Sequence, residues 1–519
     1  MTSWNDALTR PQLEHLTRPY KCLKFSPSSY SYSTVSNLSL AMAIPPSSIG
    51  FRLLVSLLVA LFAVAVSFFP PDEYLLDCGS AVDSTVDNRR FVSDSPALNA
   101  PFFSSDGSIS VRAENPSPNL AQIYRTARVF PRSAKYEFNV GEKGTHMVRL
   151  HFHRFNSSRI DFGEAEFHVV VNGYVVLSNF SGEDDSSTKY GPRVREFLIW
   201  VDVGKVVIRL VPSARSKFAF VNAVEVISAP KDLIADVATS VSDDGTEKFN
   251  GLVHQAMEVV YRTNVGGRKV TPFNDTLWRT WVPDDEFFKT GEGSDKIYFA
   301  SRIKYIPGGA SREVGPDNVY NSARVVKSKN GSVPQVNMTW EFPVAKGYKY
   351  LVRMHFCDIA SKSLGVLYFN VYINGNLAYQ DFDLSYLTGY VLASPFYMDF
   401  MVEGGYPSSG FISISVGPSS KSGENAVDAI LNAVEIMKMN NSMGSLDGYI
   451  PAEMILSRCP NRKNISISIS VIAFMCILTS IYIVARRRIV RDGFGWSKLP
   501  VDVPGHDLKA GNQLAPRRP

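Results

Sequence analysis

The sequence predicts an all-β body, two tandem copies of one β-sandwich or jelly-roll domain, followed by one membrane-spanning helix. Three observations carry that reading. YEFNVGEKGTHMVRLHFHRF at 136–155 is nearly rewritten as TWEFPVAKGYKYLVRMHFCDI at 339–359. Short alternating runs and Asn-Gly turns recur through both halves. No long segment with a helical period appears before an uncharged apolar run that begins at residue 465.

Residues 1–71 read as leader. The apolar run 53–69 follows Arg52 and breaks at Pro70-Pro71-Asp72, the pattern of a secretory signal. Met42 would open a signal of ordinary length, which makes 1–41 an upstream extension without a folded role. An uncleaved anchor is the alternative.

Domain A is expected over 72–228 and domain B over 250–439. Arg149-Leu-His-Phe matches Arg353-Met-His-Phe at an offset of 204, and TARVF at 126–130 matches SARVV at 322–326 at 196. FHVVVNG at 167–173 matches FNVYING at 369–375 at 202, and FVNAVEVI at 220–227 matches ILNAVEIM at 430–437 at 210. Blocks in one order at drifting offsets mean a duplicated domain with loop insertions, and the spacing is too long for a solenoid repeat. In YKYLVRMHF, Tyr348, Tyr350, Val352, Met354 and Phe356 share one face, and Lys349, Arg353 and His355 the other. Asn172-Gly173 and Asn374-Gly375 each lie between apolar runs and predict type I′ hairpins. The runs 205–212 and 411–417 alternate as strands do. The polar, Asp-rich segment 229–249 reads as a linker, and 440–464 as a polar stalk.

Residues 465–485 carry no charge and are long enough to cross roughly 30 Å of hydrocarbon. Arg486, Arg487, Arg488 and Arg491 follow at once, which places the basic tail 486–519 in the cytoplasm and 70–464 outside. The sequons at Asn156, Asn179, Asn274, Asn330, Asn337 and Asn440 agree with an extracellular body. Segment 70–464 holds 41 Lys and Arg against 44 Asp and Glu, so the basic balance of the chain sits at its ends. That argues against nucleic acid as a partner of the body. Cys78, Cys357 and Cys459 are the extracellular cysteines, and three allow at most one disulfide.

No nucleophile elbow, His-Glu-x-x-His zinc motif or phosphate loop appears, and no catalytic residue or cofactor is implied. His151 and His153 share a strand face, as a metal pair would, but spacing places no third ligand. Acidic pairs at Asp184-Asp185 and Glu164/Glu166 read as solvated charges. RDGFG at 491–495 has the wrong order for a kinase Asp-Phe-Gly, and no other kinase motif accompanies it, so no enzyme is expected in this chain. One segment invites a ligand: TLWRTWVPDDEFF at 276–288. Trp278, Trp281, Asp284 and Asp285 could form a surface that stacks on sugars or docks a peptide. The competing expectation puts both tryptophans in the core of domain B.

YLLDCGS, IYRTARVF, RLHF and FVNAVEV, then VVYRTNVGG, NDTLWRTWVPD, RMHFCDI, VYING, SISVGP and LNAVEI, resemble the ectodomain of plant malectin-like receptor kinases, the FERONIA and THESEUS group. The similarity covers nearly all of 72–439, and THESEUS-type wording is nearest. It implies two tandem malectin-like jelly-roll domains on the plasma membrane, in a single-pass type I glycoprotein that senses growth or the cell wall. It implies as partners a secreted rapid-alkalinisation-factor peptide with a small anchored co-receptor, and in some members pectin. The animal malectin sugar site is generally not kept in the plant domains, so it supplies no residue here. Members of this group continue past the membrane into a Ser/Thr kinase. Two readings stand for this chain: a receptor-like protein without the kinase, or part of a receptor Ser/Thr kinase. A lectin-like adhesion protein is the further alternative.

Overall fold

Alternating apolar positions turn one face of each strand inward, and each half of the chain closes its own core. The computed structural model describes residues 68–492, except 96–102, 105–106, 182–190, 203, 215, 291–292, 328–335, 404–409, 423–426 and 458–461. The leader to residue 67, the Asp184-Asp185 pair, Asn330, Cys459 and the tail beyond 492 lie outside the described residues.

In the first sandwich a five-stranded sheet runs in the order Tyr174–Phe180, Phe167–Val171, Gly204–Pro212, Ala134–Val140, Phe103–Ser104. It packs Val169, Val171, Ile208 and Phe138 against Val148, Leu150 and Phe197 of the opposing sheet. The second sandwich repeats the plan with Phe288–Thr290, Met338–Pro343, Phe411–Pro418, Tyr368–Ile373 and Asn376–Asp383. Trp340, Val371 and Ile414 meet Val352, Met354 and Phe400. Both Asn-Gly hairpins form. Asn172 and Gly173 have φ 45° and 88°, and Asn374 and Gly375 have 51° and 85°, the left-handed pair that a type I′ turn needs.

The opposing sheets of the two sandwiches are one sheet. Its path runs Gly245–Asn250, Val237–Ser242, Pro395–Val402, Tyr350–Cys357, Ala433–Met439, Met257–Asn264, Arg193–Val201, Gly144–Phe152, Ala223–Ser228, Glu73–Asp77, Arg89–Ser93, Ser84–Val86. The halves join where Phe197 stands opposite Glu258 and Leu198 opposite Met257. A third apolar cluster covers this joint, with Met147, Leu198 and Ile227 from the first sandwich and Leu277, Leu351 and Met437 from the second. Each such side chain exposed by separating the halves would cost about 1.5–3 kcal/mol.

Two segments differ from expectation. The linker 229–249 holds strand Val237–Ser242 and nearly all of Gly245–Asn250, which pair as a hairpin, and the first adds in parallel to Pro395–Val402. The stalk is folded through residue 457: Ser445 bridges Val175, and Ala452 and Ile455 of the short helix Ala452–Ser457 bury against Val170, Val175 and Val211. Helix Arg462–Asp492 follows, and its stretch Ser470–Arg488 is long and apolar enough to span a membrane.

Of the described sequons, Asn156, Asn179 and Asn274 are exposed. Asn440 is half-buried, and its Oδ1 accepts the Ala256 N–H at 2.9 Å. Glycopeptide mass spectrometry of the secreted ectodomain should find Asn156 and Asn274 occupied and Asn440 bare.

Candidate functional site

Strand pairing brings ionisable groups together across the sheet. Seven neighbouring strands present, in spatial order, Asp399, Arg353, Glu435, Arg262, Glu196, Arg149 and Glu225, an alternation of charge from one sandwich into the other. Arg149 Nε donates to Glu196 Oε2 at 2.6 Å, and Arg262 Nη2 donates to Glu196 Oε1 at 2.8 Å. Arg262 Nε reaches Glu435 at 2.7 Å, Arg149 Nη1 reaches Glu225 at 3.1 Å, and Arg353 grips Asp399 with two bonds of 2.8 Å. Arg89 adds a further bond to Glu225 at 2.6 Å.

All of these groups are buried or nearly so. Burial alone would raise the Glu196 carboxyl; Arg149 and Arg262 outweigh it and hold it down at about 2. Against the same burial, the Arg149 and Arg262 guanidiniums respectively hold Glu225 and Glu435 below the usual carboxylate range. Removing one member would strand its partners as buried charges, at about 3–5 kcal/mol.

The segment expected to meet a ligand is the lid of this row. Asp275 organises it, accepting from Leu277 N at 2.8 Å, Arg279 Nε at 3.0 Å and Trp281 Nε1 at 2.8 Å. Trp281 is buried, with the Arg262 and Arg279 guanidiniums 5.5 and 5.3 Å from its ring. Trp278, at φ 54°, covers Arg89 of the other sandwich at 4.9 Å. The Leu277 carbonyl accepts from Arg149 Nη2 at 2.7 Å, and from the other side the Leu233 carbonyl accepts from Arg353 Nη1 at 2.6 Å. Each sandwich therefore has its arginine capped by a segment from outside it.

Asp284 is buried too. It accepts from Gly266 N, Arg324 Nε and Trp340 Nε1 at 3.0, 2.6 and 2.7 Å. Asp285 is exposed and pairs with Lys296 and Arg324. The expected docking surface is thus corrected: Trp281 and Asp284 are interior, Trp278 closes the seam, and Asp285 alone of the four faces solvent. The expectation that both tryptophans pack inside is the nearer one. Sequence reasoning singled out the right segment but missed Asp275, whose partners lie two to six residues on within it, and Arg262 and Glu196, whose partners are distant in the chain.

The first sandwich carries the same anchor. Asp94 accepts from Gly79 N at 2.8 Å, from Tyr136 Oη at 2.9 Å and from Arg128 Nε at 3.1 Å. Gly79 and Gly266 have φ 81° and 69°, and a Cβ at either would lie 2.2–2.3 Å from a carbonyl oxygen, so neither accepts a side chain. Cys78 and Cys357 are both free and buried in separate cores, so they form no disulfide with each other. His151 does not pair with His153 on a metal. Its Nε2 bonds Glu225 at 2.9 Å and its Nδ1 bonds Tyr124 Oη at 2.8 Å, which uses both ring nitrogens. His355 repeats this with Glu435 and Tyr320.

The copies differ at the position of Asn264. Asn264 Nδ2 donates to the Arg268 and Asn318 carbonyls, and its Oδ1 accepts from Ser322 Oγ. Its counterpart Asp77 accepts from Thr126 Oγ1 at 3.0 Å, while its buried Oδ2 lacks a partner in bonding geometry among the described residues. Burial pushes this carboxyl up to about 6; Asp94 and Asp83 add repulsion, and the Ser84 and Thr126 hydroxyls oppose the rise.

With the seam sealed, the second sandwich still exposes aromatic surface at two strand ends and at the short helix Leu384–Leu387 and the turn after it. Tyr298, Tyr386, Tyr390 and Phe411 of the second sandwich are exposed, and Tyr386 and Tyr390 form an edge-to-face pair 6.3 Å apart. Tyr390 holds φ 60°, a strained conformation of the kind that clusters at functional positions.

A family model described as the malectin-like domain matches residues 76–439. Among curated proteins of Arabidopsis thaliana, the receptor-like protein kinase THESEUS 1 is 38% identical over 392 residues, 75% of this chain and 44% of its own length. The receptor-like protein kinase HERK 1 is 35% identical over 459 residues, 88% of this chain and 53% of its own. The chain thus spans about half the length of these relatives. The solved ANX1 ectodomain from Arabidopsis thaliana superposes with a TM-score of 0.65 at 26% identity, over 73% of this chain and 99% of its own. A solved plant complex of the peptide RALF23 with FER and LLG2 gives 0.63 at 29% identity, over 74% of this chain and 100% of the matched chain.

The Asp77 geometry sets a pH dependence. The folded state keeps its proton to about pH 6 and the unfolded state releases it near the usual carboxylate value, so stability falls as pH rises from about 4 to 6. By neutral pH the loss reaches about 3 kcal/mol. Asp77→Asn should remove that fall and melt several degrees higher at pH 7, measured by thermal melts of both proteins across this range. Equal melting temperatures at pH 7 would contradict it.

Proposed function

The chain belongs to the malectin-like domain family, and from that premise we propose that it is a cell-surface receptor module in growth or wall-integrity signalling. Its paired sandwiches recognise a secreted peptide, a cell-wall polysaccharide or both. Support for the peptide comes from the FER neighbour, solved with RALF23 and LLG2. In this reading the partners are a rapid-alkalinisation-factor-type peptide and an anchored co-receptor. The candidate span among the described residues, with Arg486, Arg487 and Arg488 at its end, supports a plasma-membrane protein with the sandwiches outside.

The observation that carries the reading is the location of exposed aromatic surface. Aromatic side chains dominate binding energy at protein interfaces, and here Tyr298, Tyr386, Tyr390 and Phe411 all lie on the second sandwich. The Tyr386–Tyr390 pair also favours a second reading, stacking on a sugar ring, with pectin fragments as the ligand. Phosphotransfer belongs to a kinase, in the same polypeptide or in a partner, since residues 70–464 carry no phosphate-binding motif.

Biolayer interferometry on the secreted ectodomain tests this, using such peptides with and without an anchored co-receptor, and pectin fragments separately. Peptide binding that strengthens with the co-receptor and weakens at least about tenfold in Tyr386→Ala/Tyr390→Ala is expected, a loss of about 1.4 kcal/mol. A folded ectodomain that binds neither peptide nor pectin overturns the proposal.

A further inference from the structure

The segment between the second sandwich and the span is a strap that crosses both sandwiches. On the second, Gly448 N donates to Tyr348 Oη at 2.6 Å, and Tyr449 stacks on Tyr348 with ring centroids 6.3 Å apart. On the first, Leu446 N donates to the Val175 carbonyl at 2.8 Å, Val175 N donates to the Gly444 carbonyl at 3.0 Å, and Ser178 N donates to Asp447 Oδ2 at 2.7 Å. Ala452 and Ile455 then bury against the outer face of the five-stranded sheet. The last anchored turn of the ectodomain therefore sits on the first sandwich, although the chain leaves from the second.

Only residues 458–461 separate that turn from helix Arg462–Asp492. Fully extended, they reach about 17 Å, counting five steps of roughly 3.5 Å. The helical stretch from Arg462 to Ile465, where the uncharged apolar run begins, adds about 5 Å at 1.5 Å per residue. Headgroups occupy roughly 5–8 Å of that reach. A body of this length has a radius of gyration of about 21 Å, so the tether is shorter than the body is wide. The strap side must lie close to the bilayer.

The strap presents suitable chemistry there. Met443, Tyr449 and Met454 are 48%, 63% and 50% exposed, three large apolar side chains within twelve residues. Tyrosine places its ring among acyl chains and its hydroxyl in water, the reason it is enriched at membrane interfaces.

We propose that the strap side of the body rests on the outer leaflet, with Tyr449, which lies on the second sandwich, and Met454, in the turn held on the first, both in the interfacial zone. The two-domain body then lies along the membrane rather than standing off it, and the exposed aromatic surface of the second sandwich is presented sideways to partners anchored in the same leaflet.

Photocrosslinking tests this in the full-length chain in phosphatidylcholine–sterol nanodiscs. Benzoylphenylalanine is placed singly at 449, at 454, and at 194 as a control. Val194 is exposed two residues from Glu196 on the ladder face of the same sandwich. Each variant must first melt within a degree or two of the parent, which separates misfolding from loss of contact. Lipid adducts at 449 and 454, several-fold above those at 194, are expected. Equal yields at all three positions overturn the proposal, as does crosslinking of 449 and 454 to a second copy instead of lipid.

Discussion

Glu196 is held by an arginine from each sandwich, Arg149 and Arg262, and the rest of the body depends on that contact. A carboxylate taken out of water is tolerated only while its guanidiniums stay in place. The pairing therefore fixes the register at which strands Arg193–Val201 and Met257–Asn264 meet. Once that register is fixed, the sheet runs unbroken through both sandwiches and the arginines on its outer face need cover. The Asp275 turn and the Leu233 segment supply carbonyls and apolar side chains in the right places. Two sandwiches thereby become one platform.

Duplication explains why the same solution appears twice. The pairs Asp94 and Asp284, Asn222 and Asn432, and Tyr124 and Tyr320 each make equivalent bonds in their own sandwich. Where the copies diverge, the chemistry diverges with them. Tyr136 and Trp340 reach the equivalent aspartate with a hydroxyl and an indole N–H. Asn264 donates two bonds to carbonyls at the position where Asp77 accepts one from a hydroxyl and leaves Oδ2 unbonded among the described residues.

Much of the architecture was legible in the sequence because its causes are local or repeated. Alternation in YKYLVRMHF, the two Asn-Gly turns and four matched blocks suffice for a doubled sandwich. The candidate site was legible only as a segment. TLWRTWVPDDEFF announces aromatic and acidic density, yet whether Trp281 faces water is decided by Arg262 and Arg279, and whether Asp284 is free by Arg324 and Trp340. The polar composition of 229–249 and 440–464 suggested a linker and a stalk for the same reason. A strand added at a sheet edge, or a strap held by backbone bonds and a few apolar contacts, leaves little periodic trace.

Differential scanning calorimetry of the secreted ectodomain tests the single-platform claim most directly. A sealed seam predicts one cooperative transition whose calorimetric and van't Hoff enthalpies agree. Two resolved transitions, one for each sandwich, would contradict it.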